Sequence, residues 1–405
     1  MTTALLIICL FTVCFCMIAK RISKTILTAP MVFIGFGFLM AQTGVMPTGE
    51  AEHLLHLVAE IALIILLFLD AAQIDFNELR KRHVWPVRML AVGLPLCVVF
   101  GTAVAWLFLP DWPIFAVVLL AAILAPTDAA LGQAVVTNLA VPERVRRALT
   151  VESGLNDGLA LPAILLFASL AAGVAGQTDT NWFIFGAKQL IFGPLVGIAV
   201  GFIGGHLLIR AQEKQWTSAI FEGIAALSMA GFAYLAATTV GGNGFISAFV
   251  AGLLFGNVVK GRCKFIYEFN ESEGQMLTWG AFFLLGLALV PEAIHHLSVP
   301  VLAIIFLSLF VVRPLSIWIS LIKTDAQPTT RLFFGWFGPR GLATALFALL
   351  IVPMVGHELA EPILYLAVNA VWISALLHGL SAVPGANWYG SWYSKKSKSD
   401  ELPPN

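Results

Sequence analysis

Glu152-Ser153-Gly154-Leu155-Asn156-Asp157 puts two carboxylates, an amide and a hydroxyl inside an otherwise apolar run, 148–172. An ionised side chain at bilayer depth costs at least ~3 kcal/mol on insertion scales, so intramembrane acids usually pair, line a water-filled cavity or carry ions. The stretch therefore reads as an ion site on a membrane helix. The composition supports the membrane half of that reading: of 405 residues, 59% are hydrophobic and 11% charged, with a mean hydropathy of +0.90. A soluble globule would carry about 25% charged residues.

Apolar runs of about 17–25 residues, some shorter or interrupted, mark membrane spans. They fall near 4–19, 27–41, 54–71, 85–108, 113–138, 148–172, 182–208, 217–238, 244–259, 274–290, 297–321, 331–354 and 360–383. The expected fold is thus an all-α polytopic membrane protein of about thirteen transmembrane helices. Lys and Arg concentrate in cytoplasmic loops, and here they follow only odd-numbered spans. Lys20, Arg21 and Lys24 follow the first, Arg80, Lys81, Arg82 and Arg88 the third, and Arg144, Arg146 and Arg147 the fifth. Arg210 and Lys214, then Lys260, Arg262 and Lys264, then Lys323 and Arg331, and finally Lys395, Lys396 and Lys398 continue the alternation. The N-terminus is expected outside and the C-terminus in the cytoplasm. Residues 1–10 lack the basic region of a cleaved signal peptide, so the first helix is expected to be retained. Cys9, Cys14, Cys16, Cys97 and Cys263 show no metal-like spacing and read as small hydrophobes.

Three basic residues escape the loop pattern: Lys188, near the outer end of its span, and Arg313 and Arg340, well inside theirs. The deepest acids are Asp128, Glu152 and Asp157, so the interior holds three negative charges against two positive. One carboxylate is left over. Such a group must hold a proton or bind a cation, and a site that does either but not both exchanges one for the other. Pro126 in Ala125-Pro126-Thr127-Asp128 and Pro339 in Gly338-Pro339-Arg340-Gly341 each interrupt a span. Broken helices at corresponding places in two halves point to a transporter binding site. Spans 4–6 and 11–13 run in opposite senses, as an inverted repeat requires, and one offset of 212 relates both Asp128 to Arg340 and Asp157 to Asn369. Asp128 and Arg340 suit the partial charges of exposed half-helix ends. On span 6, helical spacing stacks Ser153 with Asp157 and Glu152 with Asn156. We expect the first pair to face the ion and the second to face neighbouring helices. Alkali cations take hard oxygen ligands, which Asp157, Ser153 and the region of Thr127 offer.

These residues resemble a known family. Thr127-Asp128 followed by Glu152-Ser153-x-x-Asn156-Asp157, with Asn243-Gly244-Phe245, Arg313-Pro314-Leu315 and Gly338-Pro339-Arg340-Gly341, is similar to the signature of monovalent cation:proton antiporters of the bacterial NhaP and animal NHE type. The resemblance covers essentially the whole chain. It implies that Asp157 is the cation- and proton-binding carboxylate, with Asn156 beside it and oxygens from Thr127 and Ser153. It also implies that Glu152 pairs with Arg313, and that Asp128 and Arg340 sit at crossed helix breaks. An Asn-Asp pair implies electroneutral one-for-one exchange, with Na⁺ the leading cation and K⁺ the alternative. A homodimer working by an elevator-like motion is implied too, with dimerisation helices in 1–84, core helices in 85–175, dimerisation and linker helices in 176–295, core helices again in 296–385 and a short cytoplasmic tail in 386–405. Ala129 departs from the proline common in the family.

No cofactor, enzymatic chemistry or nucleic-acid partner is expected, and membrane lipid and the bacterial inner membrane are the expected surroundings. Neither a Gly-x-Ser-x-Gly elbow nor a His-Glu-x-x-His zinc helix occurs, which argues against an intramembrane hydrolase. A passive channel would not need two inverted helix breaks, and a non-transporting sensor would not need the full charge set. Glu60, Asp70 and Glu222 read as solvated helix ends or the lining of a cytoplasmic funnel. His295, His296 and His357 read as solvated outer-loop residues.

Overall fold

The computed structural model describes residues 2–22, 25–45, 48–77, 84–174, 182–263, 268 and 274–400. Of the basic residues above, Lys24, Arg80, Lys81, Arg82 and Lys264 lie outside these, as do the side chains of Lys396 and Lys398. The described residues are helical, with no strand among them. In chain order the helices are α1 (Thr2–Ile22), α2 (Ala29–Thr43), α3 (Thr48–Ala72), α4 (Val84–Phe108), α5 (Ile114–Ile123), α6 (Ala129–Val136), α7 (Glu143–Val174) and α8 (Trp182–Glu213). There follow α9 (Ala219–Thr239), α10 (Gly244–Val259), α11 (Gln275–Ala288), α12 (Val290–His295), α13 (Val299–Ser320), α14 (Pro328–Trp336), α15 (Leu342–Val355) and α16 (His357–Asp400). Seven of them are long and apolar enough to cross a membrane: α1, α4, α7, α8, α9, α13 and α16. Others, including α2, α5, α10, α11 and α15, are apolar but only 10–17 residues long.

The two interrupted spans are visibly broken. α5 and α6 are separated by an unwound Leu124–Asp128, and α14 and α15 by an unwound Phe337–Gly341. Proline supplies the reason in each case, since it gives no backbone donor and crowds the preceding turn. The helices before each break, α4 and α13, both contain a π-helical turn, at Met89–Gly93 and Ser308–Val312. In both, proline follows within the first two positions of the resumed α-helix, as Pro95 and Pro314. A π turn inserts one extra residue and re-aims the side chains beyond it. The second turn does so immediately before Arg313.

Contacts divide the helices into two neighbourhoods. α2, α3 and α8–α11 pack on one another, while α4 packs on α5, α5 on α7, and α7 and α16 on α15. Without a hydrophobic driving force between helices in lipid, close packing relies on small residues that let backbones approach. Gly252 and Gly256 of α10 do this against α3, where an added Cβ would meet the carbonyl oxygens of Phe68 and Ala72. The two neighbourhoods meet where α7 touches α3, α8 and α10, where α15 touches α3 and α11, and where α16 touches α2. The last helix continues to Asp400, into the segment 386–405 read from sequence as a tail, whose residues 401–405 lie outside the described residues.

Candidate cation and proton site

The unwound segments cross and bond to each other, the Asp128 amide donating to the Pro339 carbonyl at 2.9 Å. Each break exposes one half-helix N-terminus with unpaired N–H groups and one C-terminus with unpaired carbonyls. A single carboxylate serves both N-termini. Asp128 Oδ1 accepts from the amides of Ala130 and Leu131 in α6 at 2.6 and 3.1 Å, and Oδ2 accepts from the amide of Leu342 in α15 at 2.7 Å. Arg340 serves a C-terminus, donating through Nη1 to the carbonyls of Ala125 and Pro126 at 2.8 and 3.2 Å. Both placements match the sign of the half-helix dipoles. Gly341 is required by this arrangement, because any Cβ there would overlap the Asp128 carboxylate.

Glu152 and Arg313 form a bidentate pair, Nη1 to Oε1 at 3.1 Å and Nη2 to Oε2 at 3.0 Å, with side chains only 4% and 3% exposed. The planar guanidinium fork matches a carboxylate in this geometry. Gly338 gives it room, since a Cβ there would overlap the guanidinium. Both interior arginines are therefore committed, Arg313 to an acid and Arg340 to a helix end.

Asp157 remains. It is half-buried on α7 and lines a cavity of about 260 Å³ with Asp70, Asp128 and the polar side chains of Gln73, Thr278 and Gln275. Its Oδ1 is buried and has no hydrogen-bond partner among the described residues. Behind it, Asn156 Nδ2 donates to Thr127 Oγ1 at 2.5 Å, and Thr127 Oγ1 and Ser153 Oγ lie 3.3 Å apart. Asn156 Oδ1 is a second buried oxygen with no partner among the described residues. Buried polar atoms are normally satisfied, so the two unmatched acceptors on successive residues of α7, Asp157 Oδ1 and Asn156 Oδ1, mark candidate places for a cation or a proton. The structure thus joins Asn156, Thr127 and Ser153 to one another, while Asp157, the next residue of α7, is the one of the four that lines the cavity, and Asn156 faces Thr127 rather than holding only helix contacts.

Other sequence expectations fall elsewhere. Asp70 lines the Asp157 cavity but Glu60 lines a different one, so the two do not share a funnel. Asn369, paired with Asp157 by the offset of 212, donates to the Ala293 carbonyl of α12 at 2.6 Å and takes no part in the site. Lys188, His295, His296 and His357 are exposed, and His296 and His357 lie beside Glu292 and Glu361. Sequence reasoning missed His378. Its Nε2 lies 2.9 Å from the Trp336 carbonyl that ends α14, and its Nδ1 contacts Ser374, whose hydroxyl accepts from the Arg340 amide at 2.8 Å. Ser308, in the π turn, lies 3.4 Å from Arg340 Nη2. Nothing in the apolar sequence around these residues marked them.

A family model described as "Sodium/hydrogen exchanger, transmembrane" matches residues 5–388. The chain belongs to the sodium/hydrogen exchanger family. It is a multi-pass integral membrane protein. The exchanger-family relative named K(+)/H(+) antiporter NhaP, from Alkalimonas amylolytica, is 30% identical over 396 residues, covering 96% of this chain and 66% of the relative. K(+)/H(+) antiporter NhaP2 from Shewanella sp. (strain ANA-3) is 30% identical over 369 residues, covering 88% and 62%. The chain therefore spans a little under two thirds of the length of these relatives. In structure it is similar to the sodium proton antiporter MjNhaP1 from Methanocaldococcus jannaschii, with a TM-score of 0.77, 19% identity, and 96% and 97% of the two chains covered. That likeness carries the fold.

Proposed function

We propose that the protein exchanges a monovalent cation for H⁺ across the membrane, with Asp157 as the shared carboxylate. The observation that carries this reading is the charge inventory resolved into pairs. Glu152 is occupied by Arg313, while Asp128 and Arg340 are occupied by helix ends. Of these interior charged residues, only Asp157 lines a cavity and has a buried oxygen left unmatched among the described residues. A carboxylate in that position holds either a proton or a cation, and each occupant neutralises it. Neutrality is what makes passage through the bilayer interior affordable, because the empty, ionised site would carry the full burial penalty.

In this reading Asp157 loses its proton at one face and takes the cation together with Ser153 and Thr127. Asn156 orients Thr127 and lends its free oxygen. The core helices then move against the others by an elevator-like step, and a proton displaces the cation at the far face. One carboxylate implies one-for-one, electroneutral exchange. The cavity at Asp157 reaches Gln73, Val136 and Thr137, at the ends of α3 and α6 that lead into the arginine-rich loops. The concentration of positive charge supports reading this as the cytoplasmic face and the form as inward-facing; the N-terminus outside, thirteen crossings and a bacterial inner membrane complete the proposal. A homodimer in lipid is the proposed assembly. Na⁺ is the proposed cation; K⁺ is the second reading, supported by the names of the relatives at 30% identity.

The test is cation-triggered collapse of an imposed pH gradient in proteoliposomes, with Na⁺, Li⁺ and K⁺ supplied separately and membrane potential clamped. Proton movement that depends on one of these ions supports exchange and identifies the substrate. Cation flux without proton movement would replace the reading with a channel.

A further inference from the structure

A second cavity, of about 430 Å³, lies on the opposite side of Asp157's cavity along α3 and α15. It is lined by Glu60 and Leu63 of α3, Tyr234 of α9, Phe245 of α10, Leu346 of α15, and His357 at the start of α16. Leu63 and Leu346 line both cavities and are themselves buried, at 4% and 3% exposure. Two leucine side chains, one on α3 and one on α15, are therefore shared by the linings of the two spaces. Along α3, Glu60 precedes Asp70 of the inner cavity by ten residues, about 15 Å at the helical rise. Glu60 is the only acid among the described residues that line the second cavity, whose other walls are mostly apolar. Its Oε1 accepts a hydrogen bond from the Tyr234 hydroxyl at 2.5 Å. That bond engages one of the two oxygens of this cavity-lining carboxylate.

We infer that this second cavity is the far half of the ion path, closed from Asp157 by Leu63 and Leu346, and that Glu60, held by Tyr234, is the carboxylate that first receives a hydrated monovalent cation arriving from that face. The inference rests on the exchange reading above. A dry constriction between two apolar side chains stops a hydrated ion without any charge. Because Leu63 and Leu346 belong to different helix neighbourhoods, sliding α15 along α3 opens one side of the septum as it closes the other. A carboxylate on the open side raises the local cation concentration next to that septum. Tyr234 keeps the acid from folding back onto the apolar wall.

The experiment measures exchange in oriented membrane vesicles of both polarities, with the cation varied on one side at a time. Glu60→Gln, which preserves shape and the Tyr234 hydrogen bond, should raise the half-saturating cation concentration about fivefold, the size expected for one partly solvated charge interaction. It should do so only from the face of Tyr234 and His357, leaving the other face and the maximal rate unchanged. Tyr234→Phe should give a smaller change of the same sidedness. In Leu346→Cys protein, a thiol reagent applied from either face should block exchange, as befits a residue that meets both cavities in turn. Equal effects of Glu60→Gln from both faces, or none, would overturn the assignment of Glu60, and reactivity of Leu346→Cys from one face only would overturn the septum. Absence of exchange by the unaltered protein in the same vesicles would instead strike the exchange reading itself.

Discussion

Breaking the Glu152–Arg313 pair should cost stability before it costs cation affinity. The two side chains are 4% and 3% exposed and meet through both guanidinium nitrogens at 3.1 and 3.0 Å. Removing one partner strands an ion in a medium that cannot solvate it, a loss of about 3 to 5 kcal/mol for buried pairs. Arg313 has a further exposure to this loss, because its Nε already has no partner among the described residues. Removing both charges together is different: an apolar pair of similar volume is often neutral for stability. Thermal unfolding of purified protein in detergent should therefore show Arg313→Ala and Glu152→Ala strongly destabilised, and the double variant Glu152→Leu/Arg313→Met restored close to the unaltered protein. The single variants that do fold should keep the cation dependence of exchange. Single variants that melt like the unaltered protein while losing cation affinity would refute the structural role and move Glu152 into the ion site.

Asp128→Ala removes acceptors from three backbone amides at two half-helix N-termini, and at about 0.5 to 2 kcal/mol per cap should lower the unfolding temperature and reduce the transport rate together. Gly341→Ala forces a methyl into the Asp128 carboxylate and should be at least as damaging, whereas Gly132→Ala, whose Cβ would meet nothing within 4 Å, should be silent in the same melting assay. At the loop before α14, Asp325 accepts from Arg144 at 2.5 Å and from the Trp85 indole at 2.7 Å. The Arg144 hydrogen bond leads in holding the Asp325 carboxyl below its usual range, against some desolvation. A depressed folded-state value contributes stability above the ordinary carboxylate range and loses it as pH falls through the folded value. Asp325→Asn should thus be modestly less stable than the unaltered protein at pH 7, with the difference shrinking on acidification below about pH 4. A difference that grows with acid would contradict the sign.

The helix breaks were legible because proline leaves a mark no packing can hide: Pro126 and Pro339 each sit where a span comes apart. A count of interior charges showed that the arginines needed partners and that one acid was left over, but it was the family resemblance that assigned Glu152 to Arg313. What sequence could not fix was which face of an apolar helix meets which neighbour. The polar–apolar contrast that orients a helix on a soluble core is weak here, so Glu60 and Asp70 read alike although they open onto different cavities. The doubled role of Asp128 is a tertiary fact, since Leu342 is 214 residues away from it in sequence. The π turns at Met89–Gly93 and Ser308–Val312 have no compositional signature beyond the prolines that follow them. His378 stands alone between Leu377 and Gly379, and only the fold brings the Trp336 carbonyl to it.

The most direct test compares unaltered protein with Asp157→Ala, reconstituted at equal density and shown by melting to be folded, in the cation-pulse assay under clamped potential. Exchange by the unaltered protein and none by Asp157→Ala, at any cation concentration or pH, is the expected result. Cation-coupled proton movement that persists in folded Asp157→Ala would contradict the assignment of this carboxylate as the shared site.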